Sequence, residues 1–237
     1  MTALTRIQWN KFNKIKFDEK SHTYTLDNEV FTSVTQLLGK LKPKFDDTIA
    51  ERYAKKNNLP LEYVKQLWEI KALVGTTKGT ETHFYIESFL KYNITNNPSV
   101  AIDIEARYFH NFYNQWKHKP IKLEFITYYK EKKIAGTMDC IAKDDDGNYY
   151  IYDWKSDKQV KTNSYGTTYD PPLSHLENIT MNSWSLQLSI YRYILEKELN
   201  LPIKGQYIVH FNRKNPNFMQ YTIPYMKDEV EIIFNNC

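Results

Sequence analysis

The sequence predicts an α/β fold in which a sheet is flanked by helices and preceded by a small helical lobe. Two observations carry this. After a short alternating stretch, apolar residues recur every three or four positions from about residue 34 to residue 118, then every second position through "IKLEFITYYK", "IAGTMDCIAK" and "NYYIYDWKS", and return to helical spacing in "SWSLQLSIYRYILEKEL". The 237 residues are also 41% hydrophobic and 15% aromatic, which is ample for one large core or for a core with an appended lobe. The chain carries no internal repeat and no low-complexity tract.

The elements follow in order. "SHTYTLDNEVFTSV" alternates around Asp27-Asn28 and suits a small β-hairpin, after which Ser33 or Thr32 can cap a helix through "VTQLLGKL" that Pro43 interrupts. "DDTIAERYAKKNN" and "LPLEYVKQLWEIKALVG" read as two further helices, with Asp46 and Pro60 near their starts. Glycines then punctuate "GTTKGTETHFYIESFLKY", which becomes helical from Gly79-Thr80; "NITNNPSV" is a turn and "AIDIEARYFHNFYNQWKH" a helix with an aromatic face. Three strands form an antiparallel meander around "EKK" and "DDDG". A long loop over 161–182, a helix, the strands "KGQYIVHFN" and "FMQYTIP" and a short terminal helix in "KDEVEIIFNN" complete the chain. We divide it into a hairpin and helical lobe at 1–74 and a core at 75–237.

Two cysteines, Cys140 and Cys237, are too few for a disulfide framework or a four-cysteine metal site and point to a reducing compartment. No apolar stretch approaches the roughly 20 residues of a membrane span, and Met1 to Trp9 lacks a secretory pattern, so the expectation is a cytoplasmic protein with no membrane partner. The net charge of +4 is uneven: residues 1–56 hold 11 Lys+Arg against 7 Asp+Glu, and the remainder is balanced at 21 against 21. Such a bias is either a solvated lysine-rich surface or a lobe that contacts phosphates.

The meander brings carboxylates together. With the "DDDG" turn centred on Asp145 or Asp146, Asp139 lies opposite Tyr152 or Asp153, near the open end of the hairpin. Alternation puts Lys155 on the face of Asp153 and turns Trp154 to the other side, under a helix. Like charges this close destabilise a sheet unless a cation sits between them, and a divalent ion is the natural candidate. The plainer reading leaves Asp153 and Lys155 as a surface ion pair. Gly136, in the same strand, permits close approach of another backbone or a ligand. On a helix, His83 and Glu87 share one face, as a metal ligand with its orienting partner or as an exposed pair. Gln187 and Tyr191 also share a face, suited either to nucleic-acid contact or, for Tyr191, to the core.

Taken in order, "GTETH", "EF" at Glu124, "GTMD", "DWK" and "QLSIY" resemble the signature of RecB-type nucleases in the PD-(D/E)XK superfamily. The likeness covers roughly residues 20–215. "TSVTQLLGKL" is similar to the mitochondrial genome maintenance exonuclease, and "PPLSHLENITMNSWSLQLSIYRYILEK" is more similar to exonuclease-like proteins of tailed bacteriophages. Aspartate occupies the D/E position, and the cysteines of iron–sulfur members are missing. The resemblance implies a restriction-endonuclease-like core with a mixed β-sheet flanked by helices. It implies a metal-dependent DNA exonuclease acting on single-stranded or duplex ends in phage replication, recombination or DNA degradation, in a bacterial host cytoplasm if the chain is phage-encoded. His83, Asp139 and Asp153 would be metal ligands with a main-chain carbonyl beside Asp153, Lys155 would position the attacking water, and Gln187 and Tyr191 would contact DNA. Glu87 and Glu124 would complete a second metal site or support the first. The hard oxygen donors and scarce cysteines favour Mg²⁺ or Mn²⁺. The oligomeric state is not set by the sequence; a monomer is compatible with it.

Overall fold

A computed structural model describes residues 9–44, 47–93, 98–156 and 160–237. Asp46 and residues 94–97 of "NITNNPSV", at an expected helix start and turn, lie outside the described residues, as do Met1 to Gln8.

After a short 3-10 turn at Asn10–Lys14 come strands β1 (Lys16–Asp18), β2 (Thr23–Leu26) and β3 (Glu29–Ser33). Helices α1 (Val34–Lys40), α2 (Asp47–Asn57), α3 (Leu61–Tyr92) and α4 (Asp103–Tyr113) follow. Then come β4 (Lys119–Tyr129), β5 (Ile134–Lys143), β6 (Tyr149–Lys155), α5 (Thr180–Leu199), β7 (Ile203–His210), β8 (Met219–Thr222) and α6 (Lys227–Asn235). The eight strands form one mixed sheet, ordered β1-β2-β3-β5-β6-β7-β8 with β4 on β5, and helices flank it. Ser33 caps α1 in a reciprocal box with Gln36, which satisfies two otherwise unpaired donors.

Strand β5 explains where the sheet opens. Along its whole length one edge is taken by β4, from Lys119↔Lys143 to Tyr129↔Ile134. Its other edge must then serve both β3, paired in parallel at Ile134 and Ala135, and β6, paired antiparallel from Cys140 to Lys143. Between those two partners, residues 136–139 sit at a split in the sheet, and Asp139 ends that split.

Two apolar clusters lie on opposite faces. Tyr150, Tyr152 and Trp154 of β6 pack with Ile86 and Phe89 of α3 and with Phe109 and Phe112 of α4. Ile151, Ile141 and Ile208 face the other way, against α5. Trp154 is 1% exposed, with its ring 5.8 Å from that of Phe112, so it does pack beneath a helix.

Two local expectations are corrected. The segments on either side of Gly75 are one 32-residue helix, α3, and Gly79-Thr80 lies within it rather than at its start. The division at 74/75 therefore falls inside a continuous helix. Both glycines keep helical backbone angles, and packing at the two ends (Val64 at one, Thr82, Ile86 and Phe89 at the other) outweighs their weak helix propensity. The second correction concerns Gly136: the group that approaches it is the Tyr191 ring of α5, not a ligand. A Cβ there would stand 2.7 Å from Cε1 and 2.9 Å from the hydroxyl of Tyr191. Gly136→Ala should cost about 1–3 kcal/mol of stability in urea titration; an unchanged midpoint would show that Tyr191 yields freely.

Candidate active site

The β5–β6 register pairs Cys140 with Tyr152, so the next step outward sets Asp139 opposite Asp153. Across the other edge, Leu123↔Cys140 and Phe125↔Met138 set Glu124 level with Asp139. Glu124, Asp139 and Asp153 thus stand in a row across β4, β5 and β6. The backbone of Glu124 is left-handed, φ 44°, which a non-glycine residue adopts only at a cost of about 1–2 kcal/mol. Strain of this kind concentrates at functional sites.

Each neighbour is held by a specific bond. The Trp154 N–H donates to Asp139 Oδ2 at 2.6 Å, tying the first carboxylate to the backbone of the opposite strand. His83, from α3, sets Nδ1 3.5 Å from Asp139 Oδ1 and Nε2 2.9 Å from the Trp154 carbonyl. Lys155 Nζ lies 2.7 Å from Asp153 Oδ2. From α5, Gln187 bridges the pair: its Oε1 accepts from Lys155 at 3.4 Å and its Nε2 donates to Asp153 Oδ1 at 3.3 Å. Helices from both faces of the sheet therefore converge on the strand ends.

The charges are unevenly neutralised. Burial pushes Asp153 up to about 6, with Asp139 adding to the rise and Lys155 opposing it. Burial and the charge of Asp139 push Glu124 up to about 8. Burial alone would lower the His83 imidazole, but the Asp139 carboxylate overrides it and raises the group to about 9. Asp139 resists its own burial and is held low by His83, Lys155 and the Trp154 N–H. The carboxylates here exceed the cations that face them.

That surplus fits a divalent cation. His83, Glu124 and Asp139 each offer one ligand atom, all within 4.8 Å of one another, and a nitrogen with carboxylate oxygens suits a divalent metal ion. The tightest donor set thus contains Glu124, whereas Asp153 is turned toward Lys155 and Gln187. Glu87 lines the cavity beside Glu124 and His83 but pairs with Lys91 along its own helix. Tyr191 is 3% exposed, with its ring against Gly136, so it has no surface to offer a nucleic acid, and the reading of it as core fits its position. Lys42, half-buried in the cavity next to Lys155, was not singled out by sequence; its signal was the lysine excess of residues 1–56. No helix among the described residues is long and apolar enough to cross a membrane.

No curated protein matches the chain. Among solved structures, SSO0001 is 15% identical over 98% of this chain and 81% of its own, with a TM-score of 0.38. A candidate exonuclease from Eubacterium rectale is 13% identical over 69% of this chain, with a TM-score of 0.45, and the chain spans 64% of that protein. Residues 51–233 match the model of one nuclease family, a span that contains His83, Glu124, Asp139, Asp153, Lys155 and Gln187. The chain belongs to the PD-(D/E)XK nuclease superfamily.

Proposed function

We propose that the chain is a divalent-metal-dependent DNA exonuclease. The observation that carries the hydrolytic reading is the row of Glu124, Asp139 and Asp153, with Lys155 against Asp153 and His83 against Asp139. His83, Asp139 and Glu124 would hold the ion, with Asp153 and the Trp154 carbonyl adjoining. A bound Mg²⁺ or Mn²⁺ supplies Lewis-acid polarisation of the phosphodiester and offsets charge on the leaving oxygen. Lys155 and the Trp154 N–H help keep Asp139 ionised for that task, and His83 would join it as a neutral imidazole. Lys155, anchored by Asp153 and Gln187, directs its ammonium to the attacking water and to the charge that develops on the phosphate. Gln187 reaches the nucleic acid beside the scissile bond.

The preference for ends rests on the sequence likeness to phage and mitochondrial exonucleases; the phage likeness also supports a bacterial host cytoplasm and a role in phage replication, recombination or DNA degradation. The basic N-terminal segment guides the strand toward the carboxylate row. End-labelled single-stranded, duplex and covalently closed circular DNA, with and without Mg²⁺, test this together. The expected result is metal-dependent loss of linear DNA with the circle intact. Cleavage of the circle makes the chain a structure-specific endonuclease. Salt-sensitive binding without hydrolysis makes it a non-catalytic DNA-binding module.

A further inference from the structure

Beside the carboxylate row lies a cavity of about 350 Å³ between α1 and α3. His83, Lys155 and Gln187 form one wall. Gly75 and Gly79, two turns and one turn before His83 on the same face of α3, continue that wall, and Gly39 of α1 and Lys42 also line the cavity. Glycine inside a helix lowers helix stability relative to alanine, so each of these positions calls for a reason. The two usual reasons are missing. None of the three has a positive φ, and an added Cβ would meet nothing within 4 Å at Gly39 or Gly75 and only Ser156 Oγ at 3.9 Å at Gly79. What these glycines keep open is the cavity itself.

Lys42 adds a charge to that space. It is half-buried, and among the described residues its ammonium has no acidic partner. Lys161 lies close enough for its charge to be felt there, and burial and that neighbour both lower the Lys42 ammonium. A lysine lining a groove beside the carboxylate row, with a second lysine near it, is complementary to an anion. The volume takes one nucleotide unit of a single strand.

We infer that this groove seats the backbone phosphate of a single-stranded nucleotide next to the scissile one, with Lys42 as its cation and Gly39, Gly75 and Gly79 as the room for its sugar. The inference deepens the nuclease reading and rests on it. Two measurements separate the fates of the two. In the first, a fluorescein-labelled single-stranded oligothymidylate is bound without metal, so that hydrolysis plays no part. Lys42→Ala should weaken binding about tenfold and reduce the salt slope by about 0.7, the share of one phosphate contact on a single strand. An unlabelled blunt duplex should compete at least tenfold more weakly than the single strand. In the second, Gly75→Leu, at an exposed position where leucine favours the helix, should melt no lower than the parent yet raise KM for single-stranded DNA about tenfold, while Gly75→Ala changes KM little. Parental salt slope and affinity in Lys42→Ala, parental KM in Gly75→Leu, or equal competition by duplex overturns the groove. A parent protein that binds as described but hydrolyses no DNA overturns the nuclease reading and leaves the binding arm to judge the groove.

Discussion

Lys155→Ala should lower metal-dependent hydrolysis of a single-stranded oligonucleotide by about 10²–10³ in kcat, with little change in KM. The reason is position: Nζ sits 2.7 Å from Asp153 Oδ2 and 3.4 Å from Gln187 Oε1, so its ammonium is fixed at the site before any substrate arrives. The variant should stay folded. Asp153 loses its counter-ion at 3% exposure, but its carboxyl is already raised to about 6, and a proton can take the place of the lysine charge. Asp139→Asn is the matching test on the metal side. The amide oxygen can still accept the Trp154 N–H, so the strand pairing survives, while the charge that draws the cation is gone. Hydrolysis should fall at least as far as in Lys155→Ala, with a far-UV circular dichroism spectrum like the parent's. Parental rates in both variants would sink the assignment of this site.

Much of this site was legible because its geometry is local. A period of two on either side of "DDDG" sets the register, and register alone brings Asp139 to Asp153 and sends Trp154 to the opposite face. The parts that were not legible depend on contacts distant in sequence. Glu124 joins the row only through the β4–β5 pairing, and its left-handed backbone breaks the alternation that would have announced its face. The parallel pairing of β3 with β5, which opens the split at Asp139, spans about a hundred residues of intervening chain and leaves no periodic trace. Helical spacing puts Tyr191 on the face of Gln187 but cannot say that the ring fills the space over Gly136. Glycines at 75 and 79 read as breaks because propensity favours breaks there, whereas tertiary packing at both ends of α3 carries the helix through.

The second large effect lies behind the site, at a residue that sequence gave no cause to single out. Glu105 of α4 is fully buried and joins three segments: Lys78 of α3 forms an ion pair with it, and Arg213, in the loop between β7 and β8, donates Nη2 to Oε2 at 2.9 Å and Nε to Oε1 at 3.3 Å. Arg213 also holds the Ala101 carbonyl at 2.8 Å. Burial works against the Glu105 carboxylate, but the bonds from Arg213 and Lys78 prevail and hold it below 4.5. Glu105→Gln would leave two cations facing a neutral amide. The expected loss is roughly 3 kcal/mol, at the lower end for a broken buried pair because the Arg213 side chain, 43% exposed, can recover water. A depressed carboxylate stabilises the fold above its unfolded value and ceases to do so as pH falls, so the deficit of the variant should be full at pH 7 and shrink below about 4.5. Lys78 precedes His83 by little more than one helical turn, so loosening this anchor also loosens the imidazole, and kcat should fall with stability. If urea unfolding at pH 7 shows the variant within 0.5 kcal/mol of the parent, on the order of an ordinary surface change, the triad does not anchor α3 and His83 must be held by its own bonds to Asp139 and Trp154 alone.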